Sequence, residues 1–114
     1  MSDSRLLDIV VKTLDDKLAE DIVVIDFRGV SPFQDYFVIA SANNHRLAAS
    51  LVDYVEDEVA KEGYIMSHKE GDDDSSWQLL DLNEVIVHVF VGNERQVYSL
   101  ENLWCDLPRV DMGL

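Results

Sequence analysis

With a single cysteine, Cys105, the chain can form no internal disulfide. Its 114 residues must therefore be held by one apolar core, and at this size about two-thirds of the unfolded surface is buried on folding. Long apolar runs are also missing, and none reaches the roughly 20 residues that a membrane-spanning helix needs. Read as a start, MSDSRLLDIVVKTLDD lacks the basic end, apolar middle and small-residue cleavage site of a secretion signal, so a cytoplasmic protein is expected. Basic residues are few: nine against 23 acidic ones, for a formal net charge of −14. Such a surface repels nucleic-acid phosphate and anionic lipid and attracts a basic partner, or else serves solubility alone.

Catalytic motifs are absent too. The sequence contains no GxGxxG and no GxxxxGK[ST], and Ser75 and Ser76 lack a nucleophile elbow. His45, His68 and His88 are too scattered for a helical zinc site, and one cysteine alone is available to join them. Cys105, between Trp104 and Asp106, lacks the cationic neighbours that activate a thiolate. Asp72, Asp73 and Asp74 sit with Gly71 and two serines, which reads as a solvated acidic loop rather than a rigid oxygen cage for a cation. His88 falls on an apolar strand and is expected to be a hydrogen-bonded core residue, not a general base. These residues predict no enzyme, no metal and no cofactor.

What is present alternates between two periods. Leu7, Val10, Val11, Leu14 and Leu18 recur at three and four, giving a helix from Ser4 to about Ala19 with Ser4 or Asp3 as its cap. Strands follow at Asp21–Phe27 and Tyr36–Ala40, separated by a break at Gly29 and Pro32. Asn43 or Asn44 caps a second helix to about Lys61, with Leu47, Leu51, Val52, Val55 and Val59 as its buried stripe and Gly63 as its stop. A short strand is expected at Tyr64–Met66 and an acidic loop at Lys69–Ser76. A last helix is expected from Arg95 to about Trp104, with Val97, Leu100 and Trp104 on one side, before an irregular tail. The order predicts one domain over residues 1–114, of the α/β class, with a mixed sheet flanked by helices.

The most informative stretch is WQLLDLNEVIVHVF, Trp77 to Phe90, which reads as a hairpin turned by Asp81 to Glu84. Its second strand is apolar on both faces, with Val85, Val87, Val89 and Val91 on one and Ile86, His88 and Phe90 on the other, as for a covered central strand. In the first strand Trp77, Leu79 and Asp81 oppose Gln78, Leu80 and Leu82, and alternation does not say which set is buried. Trp104 reads as core. Trp77 is divided between core and interface anchor, since tryptophan and tyrosine bury large area at small entropic cost.

DYFVIAS (Asp35 to Ser41), the Trp77–Phe90 segment, YSLENLWCDLPRVD (Tyr98 to Asp111) and LDDKLAEDIVVID (Leu14 to Asp26) together resemble the Iojap-related ribosomal silencing factor family. The resemblance runs from about Leu7 to Asp111, with small departures at Phe33-Gln34 and His45-Arg46. It implies a domain related in fold to nucleotidyltransferases, without their catalytic residues. It also implies a protein that binds the large ribosomal subunit at ribosomal protein fourteen on the intersubunit face. There it would block subunit joining and lower translation when nutrients are scarce. Organellar relatives act in large-subunit assembly. Carried onto this sequence, the partner contacts would be Trp77, Leu79 and Asp81 of the hairpin, with Tyr98 and Glu101 as neighbours. No sequence-specific nucleic-acid binding and no membrane contact are implied, and a homodimer of the free protein is allowed.

The fold relationship leaves a divergent metal-dependent nucleotidyltransferase as an alternative, and a generic acidic adaptor as another. The first needs a Gly-Ser turn followed by strand carboxylates for metal ions. The Asp-x-Asp at Asp72–Asp74 has no Gly-Ser ahead of it, and Asp35 alone cannot hold two metals.

Overall fold

The computed structural model describes residues 4–114. Of the two candidate caps for the first helix, Asp3 lies outside that range. Ser4 caps it, its Oγ accepting the Leu7 N–H at 3.1 Å, and helix α1 spans Arg5–Asp16. Leu6, Leu7, Val10, Val11 and Leu14 are buried along one side. Leu18, expected in that stripe, is instead 76% exposed. It lies past the helix end at a φ of 71°, where the chain has turned. Helix α2 (His45–Lys61) starts at Asn44, whose Oδ1 accepts the Leu47 N–H at 2.7 Å. It ends in a Schellman turn: the N–H of Gly63 donates to Ala60 O and that of Tyr64 to Val59 O, each at 3.0 Å. Gly63 takes a φ of +89° there, which its missing Cβ permits. Leu51, Val52, Val55 and Val59 of α2 are buried, each stabilising the fold by about 1.5–3 kcal/mol relative to exposure.

Strands β1 (Glu20–Asp26), β2 (Tyr36–Ala42), β3 (His68–Glu70), β4 (Trp77–Asp81) and β5 (Val85–Val91) form one sheet in the order β1-β2-β5-β4-β3. β2 and β5 run parallel and the other pairs are antiparallel, so the sheet is mixed. β5 lies in the middle. Val85, Val87, Val89 and Val91 join the core beneath α1 and α2, while Phe90 belongs to a second cluster with Ile25, Phe27 and Ile39 on the opposite face. The strand expected at Tyr64–Met66 lies further along, at His68–Glu70. Tyr64 and Met66 pack in part against the helix-side core, and pairing begins only where the Ser67 N–H donates to Asp81 O at 2.8 Å.

The second face is covered in part by the end of the chain. The single last helix expected from Arg95 is broken in two, α3 (Glu94–Tyr98) and α4 (Leu100–Leu103), by Ser99 at φ 50° and ψ 44°. A left-handed residue cannot continue a right-handed helix. The break turns Val97 out to 71% exposure, whereas Leu100, Trp104 and Leu107 lie against the Ile25–Phe90 cluster. Beyond them the tail runs beside β1: Asp26 N–H donates to Pro108 O at 2.9 Å, and Val110 N–H to Val24 O at 3.0 Å. That pairing shields an edge strand that would otherwise present free backbone groups.

Candidate docking face

The β4–β5 hairpin fixes where the expected contact residues point. Its register sets Trp77 opposite Phe90, Leu79 opposite His88, and Asp81 opposite Ile86. The turn is held by Leu82 N–H to Val85 O at 2.9 Å and by Asp81 Oδ1, which accepts the Asn83 N–H at 2.8 Å. Asn83 takes a φ of 73°, which asparagine tolerates better than most residues. Gln78, Leu80 and Leu82 are buried, with both leucines in the helix-side core. Trp77, Leu79 and Asp81 therefore share the face turned away from α1 and α2, and all three are half-buried. The C-terminal segment covers that face in part, with Trp104 edge-on to Phe27 and Phe37 at 5.1 Å each. Leu79 and Ile86 beyond it stay partly open.

Trp77 is neither a free anchor nor a core residue. Its indole Nε1–H donates to His88 Nδ1 at 3.1 Å, and its ring lies 4.4 Å from Tyr98 and 5.1 Å from Phe90, centroid to centroid. Tyr98 is thereby joined to the same aromatic patch and is 48% exposed. Glu101 sits apart, in an ion pair: its carboxylate accepts Arg95 Nε at 2.5 Å, while Arg95 Nη1 donates to Ser41 Oγ at 2.9 Å. Arg109 donates to the backbone oxygens of Glu101, Trp104 and Leu107, closing the C-terminal turn on itself. Glu101 thus holds the segment that carries Tyr98.

His88 is buried, and burial alone pushes its pKa from 6.5 down to about 4. The ring is therefore neutral near pH 7. With Nδ1 accepting from Trp77, the proton resides on Nε2, which is buried with no protein partner among the described residues. The sequence marks His88 as a bonded core residue but does not name its partner. The pairing of Trp77 with Phe90, two residues along β5, is the signal that places the indole within reach.

A groove of about 1000 Å³ opens at the end of the sheet, lined by Glu20, Asp21, Ser41, Asn43, Arg95 and Glu101 among others. Among the described residues Arg95 is the one basic residue lining it, and that guanidinium is committed to Glu101 and Ser41. The remaining charge is acidic, which disfavours a polyphosphate. In the acidic loop Asp72 Oδ1 accepts the Asp74 N–H at 3.0 Å and the Ser75 hydroxyl at 3.1 Å, and these bonds hold its carboxyl below the usual range. Among the described residues, no group of three or more His, Cys, Asp or Glu side chains is placed to hold a metal ion, and no helix is long and apolar enough to cross a membrane.

A family model described as "Ribosomal silencing factor during starvation" matches residues 1–113. The chain belongs to this family. It is the one to which the four sequence motifs point. The ribosomal silencing factor RsfS of Bacillus subtilis is 38% identical over 112 residues, covering 98% of this chain and 95% of that protein. The RsfS of Halalkalibacterium halodurans is 35% identical over 112 residues, covering 98% and 96%. A mouse protein named mitochondrial assembly of ribosomal large subunit protein 1 is 29% identical over 103 residues, 86% of this chain but 44% of its own length. A crystal structure from Bacillus halodurans superposes with a TM-score of 0.82 at 34% identity, covering 94% of this chain and 97% of that one. One from Chromobacterium violaceum, at 23% identity and a TM-score of 0.85, shares the fold over the whole of this chain and 94% of its own.

Proposed function

We propose that this chain is a ribosomal silencing factor acting by binding and not by catalysis. In this reading it docks on the large subunit through the β4–β5 face and obstructs closure of the small subunit over it. The observation that carries the reading is the half-covered aromatic face, in a chain matched along nearly its whole length by relatives named for ribosome silencing. Trp77, Leu79, Asp81 and Tyr98 supply the contacts, and Glu101 supports them through Arg95. Ribosomal protein fourteen is the proposed point of attachment. A ribosomal protein is commonly basic, and a body of net charge −14 is steered towards it while being repelled by ribosomal RNA. The body measures 34 × 33 × 26 Å, too large to fit between two surfaces that must meet. Subunits join in the cytoplasm, which is where this reading places the protein.

The mouse relative's name favours a second role for the same surface, in assembly of the large subunit. Either way the protein meets free large subunits. Mixed with purified subunits and joined ribosomes and sedimented through sucrose, it is expected to travel with free large subunits and to be depleted from joined ribosomes. Equal occupancy of both would contradict the steric account.

A further inference from the structure

We infer that His88 is a positioning residue: through Nδ1 it holds the Trp77 indole in the pose that the docking face presents. The inference rests on the proposed use of that face. Trp77 stands opposite Phe90, and His88 opposite Leu79, so the two rings are diagonal neighbours across the hairpin. The 3.1 Å bond from Nε1 ties the indole along β5 instead of leaving it to swing out from the sheet. Tyr98 and Phe90 then pack against an indole already placed.

The cost of this arrangement is visible at the other ring nitrogen. Offering Nδ1 as an acceptor requires the proton to sit on Nε2, where it is buried and no protein group among the described residues accepts from it. A native fold rarely leaves a buried donor unpaired. The opposite tautomer would set two N–H donors against each other at the Trp77 bond, so the indole dictates the choice. If His88 merely filled the core, phenylalanine would fill it as well and would remove the unpaired N–H. A contact residue fixed in its bound pose loses less freedom on docking, which strengthens binding without adding a contact.

The test compares His88→Phe, His88→Asn and Trp77→Ala for binding to purified large ribosomal subunits of Bacillus subtilis, together with hydrogen exchange of the Trp77 indole N–H by NMR. His88→Phe is expected to melt near the parent, to lose protection of the indole N–H, and to bind roughly tenfold more weakly, about the value of one hydrogen bond. His88→Asn, which offers an amide oxygen near the place of Nδ1, should regain protection and part of the affinity. Full affinity or a still protected indole in His88→Phe, with Trp77→Ala binding poorly, would overturn the positioning role alone. Parental binding by Trp77→Ala would instead remove the docking face, and this inference with it. Should His88→Phe not fold, nitrogen shifts of the parent's imidazole decide the matter. A proton on Nε2 with a bonded Nδ1 supports the inference, and a proton on Nδ1 overturns it.

Discussion

The hydrogen bond between Trp77 and His88 joins a half-buried indole to a buried imidazole, and the burial of His88 gives it an acid limit. The His88 pKa is about 4 in the folded chain against an ordinary 6.5, so folding favours the neutral ring. Above about pH 6.5 both folded and unfolded chains are neutral there, and the full stabilisation is present. Between 6.5 and 4 the unfolded chain takes up a proton that the folded chain refuses, so stability falls with pH. Below about 4 both states are protonated and this group causes no further loss. The window amounts to about 3 kcal/mol, from 1.36 kcal/mol per pKa unit. Asp26, whose carboxyl is lowered by its bond to Arg28, acts in a separate, more acid window, below the ordinary carboxylate value of 3.8. Urea unfolding at pH 7 and pH 4.5 should therefore show a markedly smaller acid loss in His88→Phe than in the parent. Identical losses in the two proteins would mean that His88 is not held neutral by burial.

At the scale of elements, the loop between β3 and β4 decides how β4 enters the sheet. Gly71 takes a φ of +107°, and a Cβ there would stand 2.5 Å from Gln78 Oε1 and 3.1 Å from the backbone oxygen of Trp77. Gln78 is 1% exposed and its amide donates to Asp72 O, so its side chain has little room to yield. Gly71→Ala is expected to destabilise the fold by about 1–3 kcal/mol, the usual range for local backbone strain. Gly29→Ala is the control, since nothing lies within 4 Å of a Cβ there and its φ is ordinary. Equal melting temperatures for the two variants would contradict this. The first two helices, their caps and the hairpin were legible in the sequence because each is written locally: Ser4 and Asn44 before an apolar stripe, and Asn83 between two β-rich runs. The buried set of β4 was not, because it depends on register with β5 and on which side α1 and α2 pack. β3 was misplaced for a related reason. Tyr64–Met66 is the apolar run, but the strand is His68–Glu70, a charged edge whose Lys69 bonds Asp53 and Glu56 of α2 at 2.7 and 3.0 Å. The spacing of Val97, Leu100 and Trp104 carried no sign that Ser99 turns left-handed between them. Of the candidate contacts, the sequence placed Trp77, Leu79 and Asp81 on one strand face. The ring contact of Tyr98 with Trp77 is long-range in the chain, and the pairing of Glu101 with Arg95 forms across the left-handed break at Ser99, so neither had a local signature.

The whole molecule has two unlike sides, a sheet face closed by two long helices and a face closed only in part by a broken C-terminal segment. The partly closed face carries aromatic rings in contact, set in a body whose net charge is −14. Such a body can approach a basic protein quickly and be repelled by the RNA around it, which gives direction to an encounter without chemistry. Blocking by bulk makes a quantitative demand: each large subunit that carries the protein is one that cannot join. The most direct measurement is therefore the yield of joined ribosomes from purified subunits as this protein is titrated in, with its occupancy of the large subunit followed in the same samples. The account predicts that the yield falls in step with occupancy, and that Trp77→Ala shifts both curves together to higher concentration. Undiminished joining by large subunits saturated with the protein would contradict it.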